Sequence, residues 1–312
     1  MDINLELYRV FYYVANTLSF SEASRQLFIS QSAVSQSVKS LEKKLGHPLF
    51  IRSTKKVALT PEGELLLAHV RPAIQMLDEG EALLSGGNTL KGQLRIGASD
   101  TICRYFLIHY FHRFHQDYPD VRIKITNSTS IGCIDLLENR QVDLIVCNYP
   151  NSRLHPHTQM KIVREFQDVF VANPDFFPLG DHPVELKQLL EYPILMLSPK
   201  STTSEYLHHI FTAHGLNLVP EIELNSNDLL IDLARIGLGI ACVPDYMLDS
   251  GETRRKEKSF IQPDESPGKS FPSSRLVRVP LQTPLPGRQM VLVSPPALPL
   301  SQAAQRFMEY FI

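Results

Sequence analysis

Apolar residues recur at helical spacing in three short stretches at the start of the chain. The first covers residues 4–16, the second begins at Ser19 and ends near Phe28, and the third runs from Ser30 to Gly46. Serine is a favoured N-cap residue, and glycine suits the left-handed backbone that ends many helices. Together these signals predict one helix that backs a helix–turn–helix pair.

The third predicted helix separates its residues into an apolar face and a polar face. The apolar stripe consists of Val34, Val38, Leu41 and Leu45. The polar face carries amide, hydroxyl and ammonium groups of the kinds that reach base edges in the major groove of DNA. Its residues are Gln31, Ser32, Ser35, Gln36 and Lys39. A solvated amphipathic helix pair is the plain alternative, and the flanking segments decide between the two.

Residues 47–60 alternate apolar and polar side chains around a basic turn, which predicts a two-stranded ribbon. A ribbon after a helix–turn–helix completes a winged helix-turn-helix. Arg52, Lys55 and Lys56 lie at or near the ribbon tip, where cations suit the phosphate contacts that position a protein on DNA. The chain has a formal net charge of −2, whereas residues 25–56 hold seven basic side chains and one acidic. This local excess of positive charge favours a polyanionic partner.

A longer helical stretch follows, with Pro61 at its first position. Its apolar stripe cannot be buried against so small a winged domain and therefore favours a partner helix. The stripe consists of Leu66, Val70, Ala73, Leu77 and Leu84. We interpret residues 61–88 as a linker and dimerisation helix, in which Pro72 removes a hydrogen bond or introduces a kink. Residues 1–60 then form a DNA-binding domain, and residues 92–312 form a further domain.

From residue 92 onward, apolar strands alternate with helical stretches, which predicts an α/β fold with parallel strands. In such sheets, ligands bind at the carboxyl ends of strands and the N-termini of the following helices. Those positions in the first three strand–helix units carry hydroxyl and amide side chains, namely Ser99, Thr101, Thr129, Ser130 and Asn148. Hydroxyls beside free helix N–H groups can hold an anion such as a carboxylate, although each of these residues could equally be an ordinary N-cap.

The motifs of the N-terminal segment resemble those of the LysR-type transcriptional regulators. The matching positions are Ser19-Phe20, Ala23-Ser24, Leu27, Ser30-Gln31, Ala33-Val34-Ser35, Val38, Leu41-Glu42, Leu45-Gly46, Leu49-Phe50, Arg52, Leu59-Thr60 and Gly63. A later stretch, Gly237-Leu238-Gly239-Ile240, resembles a further pattern of the family. Ser32 stands where the family often has proline.

The resemblance implies a two-lobed α/β effector domain similar to periplasmic binding proteins, with a small-molecule effector in the cleft between the lobes. By position, the pocket candidates are Ser99, Thr101, Thr129, Ser130, Asn148 and Thr202. The first lobe would comprise about residues 92–160 and 284–312, and the second about 161–283. The family also implies a homodimer through the linker helix and usually a homotetramer.

Other classes of function find little support in the residue pattern. There is no nucleophile elbow, phosphate loop or dinucleotide fingerprint, so we assign no catalytic residue and no cofactor. His109, His112 and His115 follow one helix at a spacing that does not converge on a metal, so no metal site is assigned. Four cysteines lie in apolar segments without C-x-x-C spacing. With no secretory start and no membrane-spanning run, we expect a cytoplasmic protein.

Two functions from different classes therefore remain. The favoured one is a sequence-specific DNA-binding regulator of LysR type that acts on an inverted-repeat promoter site, because two-fold protein symmetry requires matching half-sites. The alternative is a ligand-binding or catalytic α/β protein whose N-terminal helices serve assembly only. Residues 249–274 depart from the family, since they are charged and rich in Pro, Gly and Ser, and we expect an exposed insertion there.

Overall fold

The structure is a computed structural model that describes residues 3–52, 57–84, 90–155, 158–248, 275–295 and 300–311. Lys55 and Lys56 of the wing tip, the end of the predicted linker at 85–88 and the charged segment 249–274 lie outside these described residues. Within them, the chain forms a winged helix-turn-helix, a long helix and two α/β lobes, in the predicted order.

Three helices and a two-stranded ribbon form the winged domain. Their bounds are α1 Leu5–Thr17, α2 Phe20–Leu27, α3 Gln31–Leu45, β1 Phe50–Arg52 and β2 Val57–Leu59. The strands pair antiparallel, with Phe50 opposite Leu59. The predicted caps of α3 are confirmed, since the Ser30 hydroxyl accepts a hydrogen bond from the Ala33 N–H at 3.2 Å and Gly46 adopts a φ of 78°.

The linker helix α4 spans Pro61–Leu84 and begins at the predicted proline. The Thr60 hydroxyl accepts a hydrogen bond from the Gly63 N–H at 3.0 Å and so caps the helix. The helix continues through Pro72, whose missing N–H removes one helical hydrogen bond.

Only part of the predicted apolar stripe of α4 is open to a partner helix. Leu67, Val70 and Ile74 pack into the core of the winged domain, because that side of the helix faces α1 and the ribbon. Among the α4 residues whose side chains the structure describes, the exposed apolar ones are Leu65, Ala73, Met76 and Leu77. The open stripe is therefore rotated relative to the predicted one.

Beyond α4, strands and helices alternate. The strands are β3 Gly92–Ala98, β4 Val121–Asn127, β5 Leu144–Tyr149, β6 Met160–Phe166, β7 Asp168–Ala172, β8 Ile194–Leu197, β9 Ile222–Leu224, β10 Ile240–Pro244, β11 Val277–Val279 and β12 Arg288–Val293. The helices are α5 Asp100–Ile102, α6 Ile108–Asp117, α7 Ser130–Glu138, α8 Leu186–Leu189, α9 Thr202–Ala213, α10 Asn227–Arg235 and α11 Gln302–Met308. A π-helical turn, Cys103–Leu107, joins α5 to α6.

The first lobe is built on a sheet with the strand order β4-β3-β5-β12-β6. Strands β3, β4 and β5 are parallel, as predicted, so their carboxyl ends lie at one edge. Strand β12 runs antiparallel to both β5 and β6. Helix α11 packs through Phe307 against Phe111 and Phe114 of α6, which closes the core of this lobe.

The second lobe is built on a sheet with the strand order β11-β7-β10-β8-β9. Strands β10, β8 and β9 are parallel, whereas β7 and β11 are antiparallel to their neighbours. Both sheets are therefore mixed, because the chain passes twice between the lobes and each passage adds a strand of opposite direction.

The first passage between the lobes lies later in the chain than the sequence pattern predicts. The pattern joins residues 166–173 into one strand and starts the second lobe near 161. The structure ends β6 at Phe166 and begins β7 at Asp168, so residues 160–166 belong to the first sheet. At the turn between them, the Gln167 amide donates a hydrogen bond to the Leu285 carbonyl, which ties the two passages together. Apolar alternation alone does not reveal which sheet a strand joins.

Candidate DNA-binding and effector-binding sites

The polar face of α3 points away from the core because three apolar residues on the opposite face are buried. Val34, Val38 and Leu41 have no exposed surface and fix the rotation of the helix. On the opposite face, four of the side chains predicted to contact bases are exposed, namely Gln31, Ser32, Gln36 and Lys39. The fifth, Ser35, is half-buried. The structure thus brings the predicted base-reading residues onto one accessible surface.

The first turn of α3 is fixed by side-chain hydrogen bonds. The Ser21 hydroxyl of α2 donates to the Gln31 Oε1 at 3.1 Å, and the Ser30 and Ser32 hydroxyls lie 2.9 Å apart. Ser32 therefore takes part in the cap of the helix at the position where the family often has proline. The start of α3 is oriented without that proline.

The turn between α2 and α3 contains an aromatic residue that the sequence analysis did not single out. Phe28 is 95% exposed and has a φ of 54°, a left-handed conformation that is uncommon for a bulky side chain. The other phenylalanines of the winged domain, Phe11, Phe20 and Phe50, pack against one another in its core. Phe28 therefore adds an accessible apolar group directly beside the start of α3.

The wing is described only in part. The backbone of Arg52 ends β1 opposite Val57, which confirms a ribbon at this position. Lys55 and Lys56, predicted to contact phosphate, lie outside the described residues, so their role stays a prediction.

The candidate effector residues of the first lobe lie at the carboxyl edge of β3, β4 and β5. Ser130 and Asn148 are in direct contact, since the Ser130 hydroxyl accepts a hydrogen bond from the Asn148 N–H at 3.0 Å. The hydroxyls of Ser99 and Thr129 accept hydrogen bonds from backbone N–H groups three residues onward, as ordinary N-caps do. The Asn148 Oδ1 is buried and has no hydrogen-bond partner among the described residues.

Thr101 and Thr202 come from opposite lobes and are both buried. The Thr101 hydroxyl accepts a hydrogen bond from the Asn227 amide of α10 at 3.0 Å, so it bridges the two lobes. Thr202 begins α9 in a run of four buried hydroxyl residues, 201–204. Asn227 was not among the predicted site residues, because its contact depends on how the lobes meet.

Two further side-chain hydrogen bonds join the lobes. The Tyr105 hydroxyl donates to Asp228 Oδ1 at 2.7 Å. The Ser152 hydroxyl donates to Glu205 Oε2 at 3.0 Å. Burial and the hydrogen bond to the carboxylate of Asp228 raise the pKa of Tyr105. These hydrogen bonds hold the two lobes together in the structure.

A buried ion pair at the junction of the lobes was missed in the sequence analysis. The Arg288 Nη1 at the start of β12 donates to Asp168 Oδ2 at 2.6 Å and to the Thr203 hydroxyl at 3.0 Å. Both charged side chains are fully buried. A basic residue opening an apolar strand was the available signal, but its partner is 120 residues away in sequence.

The cysteines are thiols rather than thiolates at neutral pH. Burial raises the pKa of Cys103, Cys133 and Cys147 to about 12 each, and raises that of Cys242 well above its ordinary value. Because the thiolate is the reactive form, we expect iodoacetamide to modify the folded protein slowly at pH 7 and faster as the pH rises. Mass spectrometry of native and urea-unfolded protein checks this; equal labelling rates in the two states would contradict it.

Among the described residues, no group of His, Cys, Asp and Glu is placed to hold a metal ion. No helix in the same part of the chain is long and apolar enough to cross a membrane.

Two sequence profiles match the chain. The profile of the bacterial regulatory helix-turn-helix protein, lysR family, matches residues 5–64, and that of the LysR substrate binding domain matches residues 87–258. The chain belongs to the LysR family of transcriptional regulators. Members of this family bind DNA and small-molecule effectors and form oligomers. The alternative of a ligand-binding or catalytic α/β protein whose N-terminal helices serve assembly only is therefore set aside.

Relatives of this LysR-type regulator match over most of their length. The RuBisCO operon transcriptional regulator of Allochromatium vinosum is 29% identical over 262 residues, which cover 82% of this chain and 84% of the relative. The HTH-type transcriptional activator CmpR of Synechocystis sp. is 28% identical over 251 residues, covering 79% and 81%. Full-length OxyR from Pseudomonas aeruginosa shares the fold, with a TM-score of 0.72 at 20% identity over 100% of this chain and 94% of that chain.

One family motif residue of this LysR-type regulator has a structural role that the sequence did not reveal. The Glu42 carboxylate accepts hydrogen bonds from the N–H groups of Leu49 and Phe50, at 2.8 and 3.3 Å. Glu42 therefore joins the end of α3 to the start of the wing. This contact gives the one acidic residue of segment 25–56 a structural role.

Proposed function

We propose that this regulator reads an inverted-repeat DNA site with the polar face of α3 and changes its binding when a small anionic effector occupies the cleft. The proposed reading of DNA by α3 rests on the fixed rotation of that helix about its axis. Its buried residues orient Gln31, Gln36 and Lys39 outward together, and their amide and ammonium groups match base-edge acceptors and donors. We place its action in the cytoplasm, where the promoter is accessible.

The wing supplies the non-specific part of the proposed interface. Arg52, Lys55 and Lys56 would contact the phosphate backbone beside the groove that α3 enters. Phe28 would lie next to the same backbone, since it is exposed immediately before the start of α3.

Dimerisation through α4 would place two winged domains on one DNA site. The exposed apolar side of α4, formed by Leu65, Ala73, Met76 and Leu77, supports pairing with the same helix of a second copy. A two-fold axis through that pair requires an inverted repeat in the DNA. Pairing of effector domains would then produce the proposed tetramer.

Effector binding would act on DNA binding through the lobe contacts. Thr101 and Asn227 join the lobes at the cleft, and the Arg140 Nη1 of the first lobe donates to the Ala68 carbonyl of α4 at 3.4 Å. A ligand that binds one arrangement of the lobes more tightly than another shifts the equilibrium toward that arrangement. The size of the shift is set by the difference between the two affinities, and the contact with α4 would pass it to the linker helix.

Gel-shift titration on DNA selected by the protein from a random pool tests the α3 assignment. Gln36→Ala should reduce the preference for selected over random DNA by about 1–3 kcal/mol, as expected for one bidentate base contact. Gln26→Ala, an exposed glutamine on α2, should leave that preference unchanged. Equal weakening of selected and random DNA by Gln36→Ala would show that α3 does not read bases at this position.

Salt titration of the same complexes tests the wing. Replacing Lys55 and Lys56 with alanine should weaken binding to every sequence and flatten the dependence on salt concentration, because fewer counterions are released. An unchanged salt slope would remove the wing from the proposed interface.

Thermal-shift screening of metabolites against the full-length protein tests the cleft. A ligand of the folded state should raise the melting temperature with increasing saturation. Thr202→Val should reduce the response if the ligand lies between the lobes, whereas an unchanged response would place the ligand elsewhere.

A further inference from the structure

Within the described residues, the guanidinium of Arg288 is hydrogen-bonded through Nη1 alone. Its Nη1 makes the hydrogen bonds to Asp168 and Thr203. Its Nε and Nη2 are buried and have no hydrogen-bond partner among the residues that the structure describes. These two nitrogens carry the parallel N–H groups that bind two oxygens of one anion, and leaving such donors buried and unpaired is unfavourable.

The position of Arg288 connects it to the candidate effector residues. Thr203, which it contacts, directly follows Thr202 at the start of α9. The next residue of β12, Gln289, pairs with Tyr149 at the end of β5, one residue beyond Asn148. Arg288 thus lies between the lobe-two and lobe-one parts of the proposed pocket. Its Cζ lies 4.8 Å from the ring centroid of Tyr206, which adds an aromatic neighbour.

The surrounding charges select the class of anion. Asp168 already balances the positive charge of Arg288, and both are fully buried. Each negative charge that a ligand adds here lacks a counter-charge of its own, which is unfavourable in a buried site, so a dianion is disfavoured more strongly than a monoanion. A monoanion with two coplanar oxygens satisfies both free donors with the smallest added charge.

We propose that Arg288 anchors the effector by its free Nε–Nη2 edge and that the effector carries a single carboxylate. This inference rests on the proposed effector cleft and adds the chemical class of its ligand. The edge is buried in the structure, so the carboxylate would enter when the contacts between Thr101 and Asn227 and between Ser152 and Glu205 open. The carboxylate would then lie between Arg288 and the N-terminus of α9, where the helix dipole favours an anion.

Calorimetric titration of the full-length protein provides the test. The probes are the sodium salts of acetate, propionate, lactate and benzoate, compared with sulfate, phosphate and chloride at matched ionic strength. At least one monocarboxylate should bind saturably, whereas sulfate and phosphate should behave like chloride. Saturable sulfate or phosphate binding without carboxylate binding, or no saturable carboxylate binding, would overturn the proposal.

Two variants with opposite expected effects separate a ligand role from a purely structural one. Arg288→Lys keeps the charge but loses the two-donor edge, so carboxylate binding should weaken by about tenfold to a hundredfold. Asp168→Asn keeps the shape and an acceptor for Nη1 but removes the balancing charge, so binding should tighten several-fold. A structural role would weaken binding in both. If Arg288→Lys does not fold, the direction of the Asp168→Asn effect decides.

Arg235 offers a matched control. It is another buried arginine whose Nε and Nη2 lack partners among the described residues, but it lies on α10 and pairs with Asp232 of the same helix. Arg235→Lys should leave carboxylate binding unchanged. Thr202→Val separates the anchoring role of Arg288 from the position of the ligand in the cleft. Weaker carboxylate binding in Thr202→Val but not in Arg288→Lys would overturn the anchor and retain the cleft. Weaker binding in Arg288→Lys but not in Thr202→Val would retain the anchor and overturn the cleft assignment.

Discussion

Replacing Gly63 with alanine should destabilise the winged domain by about 1–3 kcal/mol or more, as overpacking does in other cores. A Cβ at this position would lie 2.2 Å from the backbone oxygen of Leu49. That oxygen also accepts the Thr60 N–H at 3.0 Å, so it cannot move without loss of the bond that joins wing and linker helix. The melting temperature and the DNA affinity of full-length Gly63→Ala should both fall.

Gly80 provides the control on the same helix. A Cβ there meets nothing within 4 Å, and its backbone is helical. Gly80→Ala should therefore stabilise α4 by about 0.5–1 kcal/mol, because alanine loses less backbone freedom than glycine on folding. Changes of the same sign in the two variants would show that the Leu49 carbonyl does not limit position 63.

Asp168→Ala should destabilise the effector domain by about 3–5 kcal/mol, because it leaves the charge of Arg288 buried and unpaired. The double variant Asp168→Ala/Arg288→Met should recover much of the lost free energy of unfolding, because neither apolar side chain leaves a buried charge unpaired. Urea unfolding followed by circular dichroism or tyrosine fluorescence measures both, as the chain has no tryptophan.

The exposed pair of Asp135 and Arg153 is the matched comparison. About half of each side chain is accessible to solvent, so Asp135→Ala should change the free energy of unfolding by less than about 1 kcal/mol. A comparable loss from Asp135→Ala and Asp168→Ala would mean that burial does not set the strength of these pairs. Failure of the double variant to recover stability would point to packing rather than charge.

The winged domain could be predicted closely because its signals are local. The caps at Ser19, Ser30 and Gly46 lie within a few residues of the N–H and carbonyl groups that they satisfy. The stripe of α3 faces inward for the same reason, since helical spacing alone determines which side chains share a face.

The effector domain could be predicted only to the level of its alternating strands and helices. The insertion of β12 between β5 and β6, and the separation of β6 from β7 at Gln167, depend on pairings between distant parts of the chain. A strand pattern reports that a segment is extended and half-buried, but it carries no information about its neighbour.

The candidate pocket shows the same limit. Ser130 and Asn148 could be proposed because parallel strands share an edge, which is a property of the fold class. The roles of Asn227 and Arg288 depend on how the lobes meet, since their partners are 126 and 120 residues away in sequence. Residues of that kind become visible only in three dimensions.

The sheet order also has a consequence for synthesis of the chain. Strand β12 lies between β5 and β6, so the first sheet lacks an inner strand until residues 288–293 have been made. In the second sheet, β7, β10, β8 and β9 are all present once residue 244 is made, and only the edge strand β11 follows. Because domains fold during translation as their segments emerge, the lobe that begins later in the sequence should be the first to fold. Until β12 is made, one edge of β5 has unpaired backbone N–H and C=O groups, and these can pair with strands of other chains.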